Sequence, residues 1–189
     1  MKNIISILAI TILFSCSLQK NTKDVDNSKI GLSLSNKHKQ IEDGILVGKA
    51  RRTDLQQIPF NDWFINGFNE YSISEEIEEK IEEKIQEYTI TVFMGTWCED
   101  SQNQVPKFYK ILEEVDFPLR KVTLITMSRE KTTPEQFEKG LNITNVPTFI
   151  FYKNGKEVNR IVESPRVSLE QDMIDILYEN NYKHIYIQK

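Results

Sequence analysis

The sequence predicts an α/β fold with a mixed β-sheet, made of parallel strands plus a C-terminal antiparallel hairpin and flanked by helices on both faces. Two apolar runs rich in β-branched residues, 89–94 and 122–127, are typical of buried strands. Helical patterns lie before, between and after these runs, and right-handed crossovers then make the two strands parallel. Asn154-Gly155 lies between the apolar runs 148–152 and 157–162, which indicates a tight hairpin.

The composition indicates one soluble globular domain plus a short extra segment. The chain has 189 residues, 39% hydrophobic and 28% charged, with 7 Gly and 6 Pro, which excludes collagen-like, mucin-like and broadly disordered classes. The charge balance is mildly acidic, 24 Lys+Arg against 28 Asp+Glu, so nucleic acid is not an expected partner. Two cysteines and two histidines give neither a disulfide framework nor zinc-finger spacing. No metal site is therefore predicted. No Gly-rich phosphate loop follows a strand, so a nucleotide cofactor is not predicted either.

The N-terminus has the pattern of an export signal. A basic start precedes an apolar run of about eleven residues, 4–14, whereas a bilayer span needs roughly 20. Leu13-Phe14-Ser15-Cys16 resembles the lipobox of bacterial lipoproteins. The resemblance implies a signal peptide over 1–15, acylation of Cys16, and a lipid anchor that holds the protein on a membrane of the bacterial cell envelope. Ordinary secretion and an uncleaved anchor are the alternatives.

The remaining chain is predicted to be a flexible tether followed by the folded domain. Residues 16–44, the lipidated cysteine and the tether, are rich in Ser, Asn, Lys, Asp and Gln and bury little apolar surface. The domain is predicted over 45–189 and opens with a possible short strand, 45–50. An aromatic-rich extension, 55–71, follows, and its rings are expected to pack in the core or, alternatively, to face a ligand.

Four helices are predicted within the domain. The first is capped by Ser72 or Ser74 and has isoleucine every four residues, which puts one apolar stripe against the core. A second helical face lies between the two buried strands and begins close to Cys98. Thr133-Pro134-Glu135-Gln136 predicts a third helix that ends at Gly140. Ser168 opens the last helix, and the final stretch 184–187 predicts an edge strand or no element.

Cys98 lies where a buried strand ends and a helix begins. At a helix N-terminus a thiol faces backbone N–H groups without helical partners and the positive end of the helix dipole, and both favour the nucleophilic thiolate. An inert core cysteine is the alternative that the residues alone leave open.

The region around Cys98 resembles the thioredoxin superfamily over roughly residues 75–180. Phe93-Met94-Gly95-Thr96-Trp97-Cys98 matches the approach from strand to nucleophile, and Pro106 falls where the active-site helix of that family is kinked. Val146-Pro147-Thr148 matches its cis-proline loop before the hairpin. The resemblance implies a thioredoxin-like fold with Cys98 as nucleophile and Ser101 as its hydrogen-bonding neighbour. It also implies a substrate groove formed by Trp97, Val146, Pro147 and Thr148, with Glu163-Ser164-Pro165 nearby unless that stretch is only a turn.

Two positions depart from the family pattern. Ser101 stands where dithiol members carry the resolving cysteine, and Val92 stands where many members carry a buried acid on the central strand. The ordinary dithiol mechanism ends in an internal disulfide, so it cannot operate with Cys98 alone. Release of a mixed disulfide would need a thiol of the substrate or an external thiol reductant.

Three functions are compatible with this pattern. The first is a membrane-anchored monothiol protein that carries out thiol-disulfide exchange or isomerisation on exported polypeptides carrying thiols or disulfides. The second is a non-catalytic thioredoxin-fold module that binds unfolded or partner polypeptides. The third is peroxide reduction through a sulfenic acid, although no activating arginine motif surrounds Cys98.

Overall fold

The computed structural model describes residues 39–187, which form an α/β domain on one six-stranded sheet. The strands are β1 Lys39–Glu42, β2 Ile45–Ala50, β3 Tyr88–Met94, β4 Val122–Thr126, β5 Thr148–Lys153 and β6 Lys156–Val162. Their spatial order is β1-β2-β4-β3-β5-β6. Strands β3 and β4 are parallel, and all other neighbours in the sheet are antiparallel. The predicted mixed sheet, with its C-terminal antiparallel hairpin, is therefore confirmed.

Helices flank this sheet. They are α1 Arg52–Leu55, α2 Asn61–Asn69, α3 Glu75–Ile85, α4 Glu99–Glu114 and α5 Leu169–Leu177, with a 3-10 turn at Leu119–Lys121. Two predicted helix starts are confirmed. Ser74 is the N-cap of α3, and the Ser168 hydroxyl accepts the Gln171 N–H at the start of α5. None of the helices within residues 39–187 is long and apolar enough to cross a membrane.

Alternate residues of the central strands bury their side chains on opposite faces of the sheet. Ile90 and Val92 of β3 join the larger apolar cluster, to which all five helices contribute buried side chains. Within that cluster the Phe108 and Phe149 rings have their centroids 4.8 Å apart. Phe93 belongs to the smaller cluster on the other face. Val92 is 0% exposed, so an aliphatic side chain fills the place on the central strand where the resemblance would put a buried acid.

The predicted helix from Thr133 to Gly140 is wrong. This stretch forms turns, because Gln136 adopts a left-handed backbone conformation with φ 56° that ends any helical run. The Thr133 hydroxyl does accept a backbone N–H, that of Phe137, at 2.9 Å, as a helix cap would. Phe137 then packs with Leu141 and Ile143 against the smaller apolar cluster. These turns therefore help to cover the second face of the sheet.

The folded part begins earlier than the predicted boundary at Ile45. Strand β1 starts at Lys39 and pairs with β2, so residues 39–44 are not a tether. Of the aromatic-rich extension, Phe60 and Phe64 are buried in the larger cluster, which confirms the packing alternative. Residues 184–187 add no strand. The predicted signal peptide, Cys16 and the tether up to residue 38 lie outside the described residues.

Candidate functional site

The turn after β3 places Cys98 immediately before the first residue of a long helix, α4. The Cys98 N–H donates to the Gly95 carbonyl at 3.0 Å, which closes the turn. The Cys98 carbonyl accepts the Gln102 N–H at 3.0 Å, the first hydrogen bond of α4. Cys98 itself keeps an extended backbone, with φ −93° and ψ 124°, and is the N-cap of the helix. The predicted position at a strand end and a helix start is therefore observed.

The thiol of Cys98 contacts the cis-proline loop. Its sulfur lies 3.1 Å from the Val146 carbonyl oxygen, to which the S–H donates. The Val146–Pro147 peptide bond is cis, as the resemblance implies. This approach follows from the sheet, since Thr148, the first residue of β5, pairs with Phe93 near the end of β3. Cys98 is partly exposed, so a thiol held in this way is still reachable from solvent.

Trp97 is held on the other side of the thiol by contacts with the chain that follows β4. Its indole Nε1 donates to the Met127 carbonyl at 3.0 Å. The guanidinium of Arg129 lies 5.5 Å from the centre of the indole ring, within the range of a cation–π contact. Trp97, Cys98 and Val146 all belong to the smaller apolar cluster. The structure therefore brings together the predicted nucleophile and two predicted groove residues.

Ser101 has a different partner from the one predicted. Its side chain is fully buried, and its hydroxyl oxygen accepts the Gly95 N–H at 3.2 Å. The thiol of Cys98 instead faces the Val146 carbonyl, and no hydrogen bond between the two side chains is present in the described part of the chain. The reason is that Ser101 lies on the buried face of α4, whereas Cys98 lies at its open end. Ser101 thus braces the turn that leads to the nucleophile.

The cis-proline loop is anchored by residues from the end of β6 and from the C-terminal segment. The Glu163 N–H donates to the Pro147 carbonyl at 2.7 Å. The Asn145 side-chain amide donates to the Glu163 carboxylate at 3.1 Å, and the Tyr186 hydroxyl donates to the other carboxylate oxygen. The Thr148 hydroxyl closes the loop by donating to the Asn145 carbonyl at 2.6 Å. Glu163 therefore lies beside the predicted groove, as the resemblance implies.

Several of these residues were missed from the sequence. Arg129 and the Met127 carbonyl follow β4, and parallel strands place their carboxyl ends at the same edge of a sheet. The residues just after β4 could therefore have been expected near Cys98. Asn145 and Tyr186 carry no comparable pattern. No group of three or more His, Cys, Asp or Glu side chains that could hold a metal ion occurs within residues 39–187.

We expect Gly95→Ala to displace Trp97. A Cβ atom at position 95 would lie 2.6 Å from Cε2 and 2.8 Å from Nε1 of the indole, too close for any real contact. The ring would have to give up its bond to the Met127 carbonyl, at a cost of about 1–3 kcal/mol in the free energy of unfolding. Trp97 fluorescence in a Trp63→Phe background, together with urea unfolding, measures both effects.

Gly67→Ala is the matched control for this prediction. Its added Cβ would meet only the Pro106 ring, at 3.2 Å, and would leave Trp97 untouched. An emission spectrum of Gly95→Ala identical to that of Gly67→Ala would contradict the packing described for the indole.

Comparison with known proteins gives one family. The model of a family described as thioredoxin matches residues 64–176 of this chain. A thioredoxin-like protein of Acanthamoeba polyphaga mimivirus is 26% identical over 83 residues, which cover 44% of this chain and 58% of that protein. The matched part thus spans less than two thirds of that relative.

Solved structures similar to this chain include several thioredoxins. Thioredoxin O2 from Arabidopsis thaliana, in its oxidised state, is 21% identical with a TM-score of 0.36, covering 57% of this chain and 88% of its own. Fasciola hepatica thioredoxin is 26% identical with a TM-score of 0.31, covering 46% and 78%. A Pseudomonas aeruginosa protein of unknown function is 14% identical with a TM-score of 0.47, covering 62% and 81%.

Proposed function

This chain belongs to the thioredoxin family, and we propose that it is a membrane-anchored monothiol protein that exchanges or isomerises disulfides of exported polypeptides. The observation that carries the proposal is the Cys98 thiol at the N-terminus of α4, partly exposed and 3.1 Å from the Val146 carbonyl. The lipobox-like segment that ends at Cys16 supports the anchor and a place in the cell envelope.

The first step is attack on a substrate disulfide. The Cys98 thiol loses its proton to solvent, and the thiolate attacks one sulfur of the disulfide. A bond forms between Cys98 and that sulfur, and the other substrate sulfur leaves as a thiolate and takes up a proton. Trp97 and the cis-proline loop flank the Cys98 sulfur, so they would hold the substrate segment during the exchange.

The second step needs a thiol from outside this domain. Ser101 has no sulfur with which to expel the substrate, and its hydroxyl is buried against the Gly95 N–H. A second thiol of the substrate that attacks the mixed disulfide gives isomerisation with no net oxidation. An external thiol such as glutathione can also attack the mixed disulfide. If it attacks the substrate sulfur, Cys98 is released and glutathione stays bonded to the substrate. If it attacks the Cys98 sulfur, the substrate is released and glutathione stays bonded to Cys98.

One observation favours the alternative of a binding module. Val92 is fully buried in the larger apolar cluster, so the central strand supplies no acid at this position to move protons near Cys98. A module of this kind would use the groove along Trp97 and Pro147 to hold extended polypeptides without chemistry at the thiol.

An assay with scrambled ribonuclease separates the two functions. We expect the purified, reduced protein to accelerate recovery of ribonuclease activity, because attack by Cys98 frees a substrate thiol that can resolve the mixed disulfide. Reduced glutathione should increase this rate further, since it resolves the mixed disulfides that no substrate thiol reaches. A binding module would suppress aggregation of the scrambled ribonuclease, and adding it would not change the rate of recovery, with or without glutathione. Equal recovery rates with and without the protein would therefore reject the enzymatic proposal.

A further inference from the structure

A cavity of about 490 Å³ lies between α1 and the start of β4. It exists because pairing between β2 and β4 stops at Ala50 and Leu124, while β4 continues back to Val122. The chain leaves β2 at Arg51 to begin α1, which leaves a wedge beside the start of β4, on the side that does not pair with β3. The apolar floor of this wedge is formed by Ala50, Leu119, Val122 and Leu124. The volume is within the range of about 300–1,000 Å³ typical of small-molecule sites.

The rim of the cavity is cationic although the chain as a whole is acidic. Four basic residues line the cavity: Lys49, Arg51, Arg52 and Arg120. Among the residues that the structure describes, no carboxylate lines it. Arg52 donates to the Glu113 carboxylate at 3.0 Å, outside the lining. The other three take part in none of the ion pairs formed within residues 39–187. Their charge is therefore available to a ligand.

A buried phenol points into the same cavity. Tyr109 of α4 lines it and is only 2% exposed. No hydrogen bond to its hydroxyl is formed within the described part of the chain, although every fully buried side-chain nitrogen or oxygen there has a partner. The hydroxyl must therefore be the part of Tyr109 that reaches the open space. Burial raises the pKa of Tyr109, and nearby Arg52 offsets this in part, so the phenol stays a hydrogen-bond donor.

We propose that this cavity binds an organic anion, in which a phosphate or carboxylate group meets Arg51, Arg120 and the Tyr109 hydroxyl while an apolar body covers the floor. Guanidinium groups match the geometry of both anions, and a buried donor without a partner gains most from such an acceptor. The anion could come from a soluble metabolite or from the headgroup of a membrane lipid.

The site is separate from the thiol. Cys98 lies at the end of α4 near the carboxyl ends of β3 and β4, whereas the cavity lies beside the start of β4. Tyr109 is eleven residues farther along α4 than Cys98, which corresponds to about 16 Å along a helix. Binding should therefore be unaffected by Cys98→Ser, and its test does not depend on the proposed function.

Titration calorimetry with octyl phosphate tests the proposal, supported by amide chemical shifts in the full chain. We expect Arg51→Gln combined with Arg120→Gln to weaken binding about tenfold or more, and Tyr109→Phe to weaken it about threefold to tenfold. The matched control is Lys139→Gln combined with Lys156→Gln, which removes the same charge from exposed positions outside the cavity. Tyr109→Phe removes a hydroxyl without a protein partner, so it should fold normally.

The comparison of probes identifies the source of the anion. Binding of octyl phosphate but not of phosphatidylcholine vesicles containing phosphatidic acid supports a soluble ligand, and binding of both supports a lipid headgroup. Octyl glucoside lacks the anionic group and inorganic phosphate lacks the apolar chain. Each should therefore bind at least about tenfold more weakly than octyl phosphate. The proposal is overturned if octyl phosphate does not bind, if both double variants bind it as the natural sequence does, or if the shifted amides lie away from the cavity.

Discussion

Cys98→Ser is expected to reduce glutathione-dependent disulfide exchange to the uncatalysed rate. A serine hydroxyl at this position cannot form a mixed disulfide, so the first step of the proposed reaction has no nucleophile. Cys98 is the one cysteine within residues 39–187, so no second thiol of the described domain can replace it. Recovery of scrambled ribonuclease, followed as initial rate against protein concentration, measures the loss.

The same substitution should leave the fold intact. Cys98 is partly exposed and makes one side-chain hydrogen bond, to the Val146 carbonyl, which a serine hydroxyl can also donate. The expected change in the free energy of unfolding is within about 0.5 kcal/mol, as for most substitutions of this kind. Lost activity with unchanged urea unfolding therefore assigns the loss to chemistry.

Ser101→Ala is the matched control for Cys98→Ser. It removes a hydroxyl from the same helical turn but keeps the thiol, and it gives up only the bond to the Gly95 N–H. We expect this control to retain exchange activity. If the two variants have equal activity, Cys98 is not the nucleophile and the binding-module alternative is favoured.

The central strands and their connections could be predicted because their patterns are local and strong. A β-branched apolar run is buried on both faces, so β3 and β4 were located within one residue of their observed bounds. The hairpin followed from Asn154-Gly155, both of which have positive φ in the structure. The position of Cys98 then followed from the end of β3.

Strand β1 could not be predicted because it is an edge strand. Its side chains are mostly polar, and Ile41, its one large apolar side chain, is 60% exposed. Backbone pairing with β2 and the ion pair between Lys39 and Asp54 hold β1 in place, and neither contact can be recognised from the composition. The missed helix at Thr133 has a related cause. Thr133 does cap a turn, but the left-handed backbone at Gln136 ends the helical run, and Phe137 next to it packs against the smaller apolar cluster.

The contacts of the site could be predicted only in part. The spacing in the sequence correctly puts Ser101 one helical turn from Cys98. The directions of the two side chains determine their hydrogen bonds, so Ser101 bonds to the Gly95 N–H and Cys98 to the Val146 carbonyl. The contact between Arg129 and Trp97 joins two loops that follow different strands. Such contacts depend on the order of strands in the sheet, which the spacing of residues along the chain does not give.

Ser101→Cys should convert the monothiol site into a dithiol site. Ser101 lies in the same first turn of α4 as Cys98, where a second thiol could attack the mixed disulfide from within the molecule. Attack within one molecule has an effective concentration of at least millimolar order, and far higher when the groups are well oriented. We expect the mixed disulfide to accumulate about tenfold less than in the natural sequence, and insulin reduction with dithiothreitol to rise.

The internal disulfide can be detected directly by mass spectrometry as a loss of two hydrogens after oxidation. The burial of position 101 opposes this gain, since the new thiol is a weaker acceptor for the Gly95 N–H, at a cost of about 1 kcal/mol. Ser101→Ala carries the same cost without the new sulfur and isolates the effect of the second thiol. Undiminished mixed disulfide in Ser101→Cys would mean that position 101 cannot reach Cys98. In that case the site could not act as a dithiol, because the side chain at position 101 points into the core and Val92 supplies no acid on the central strand.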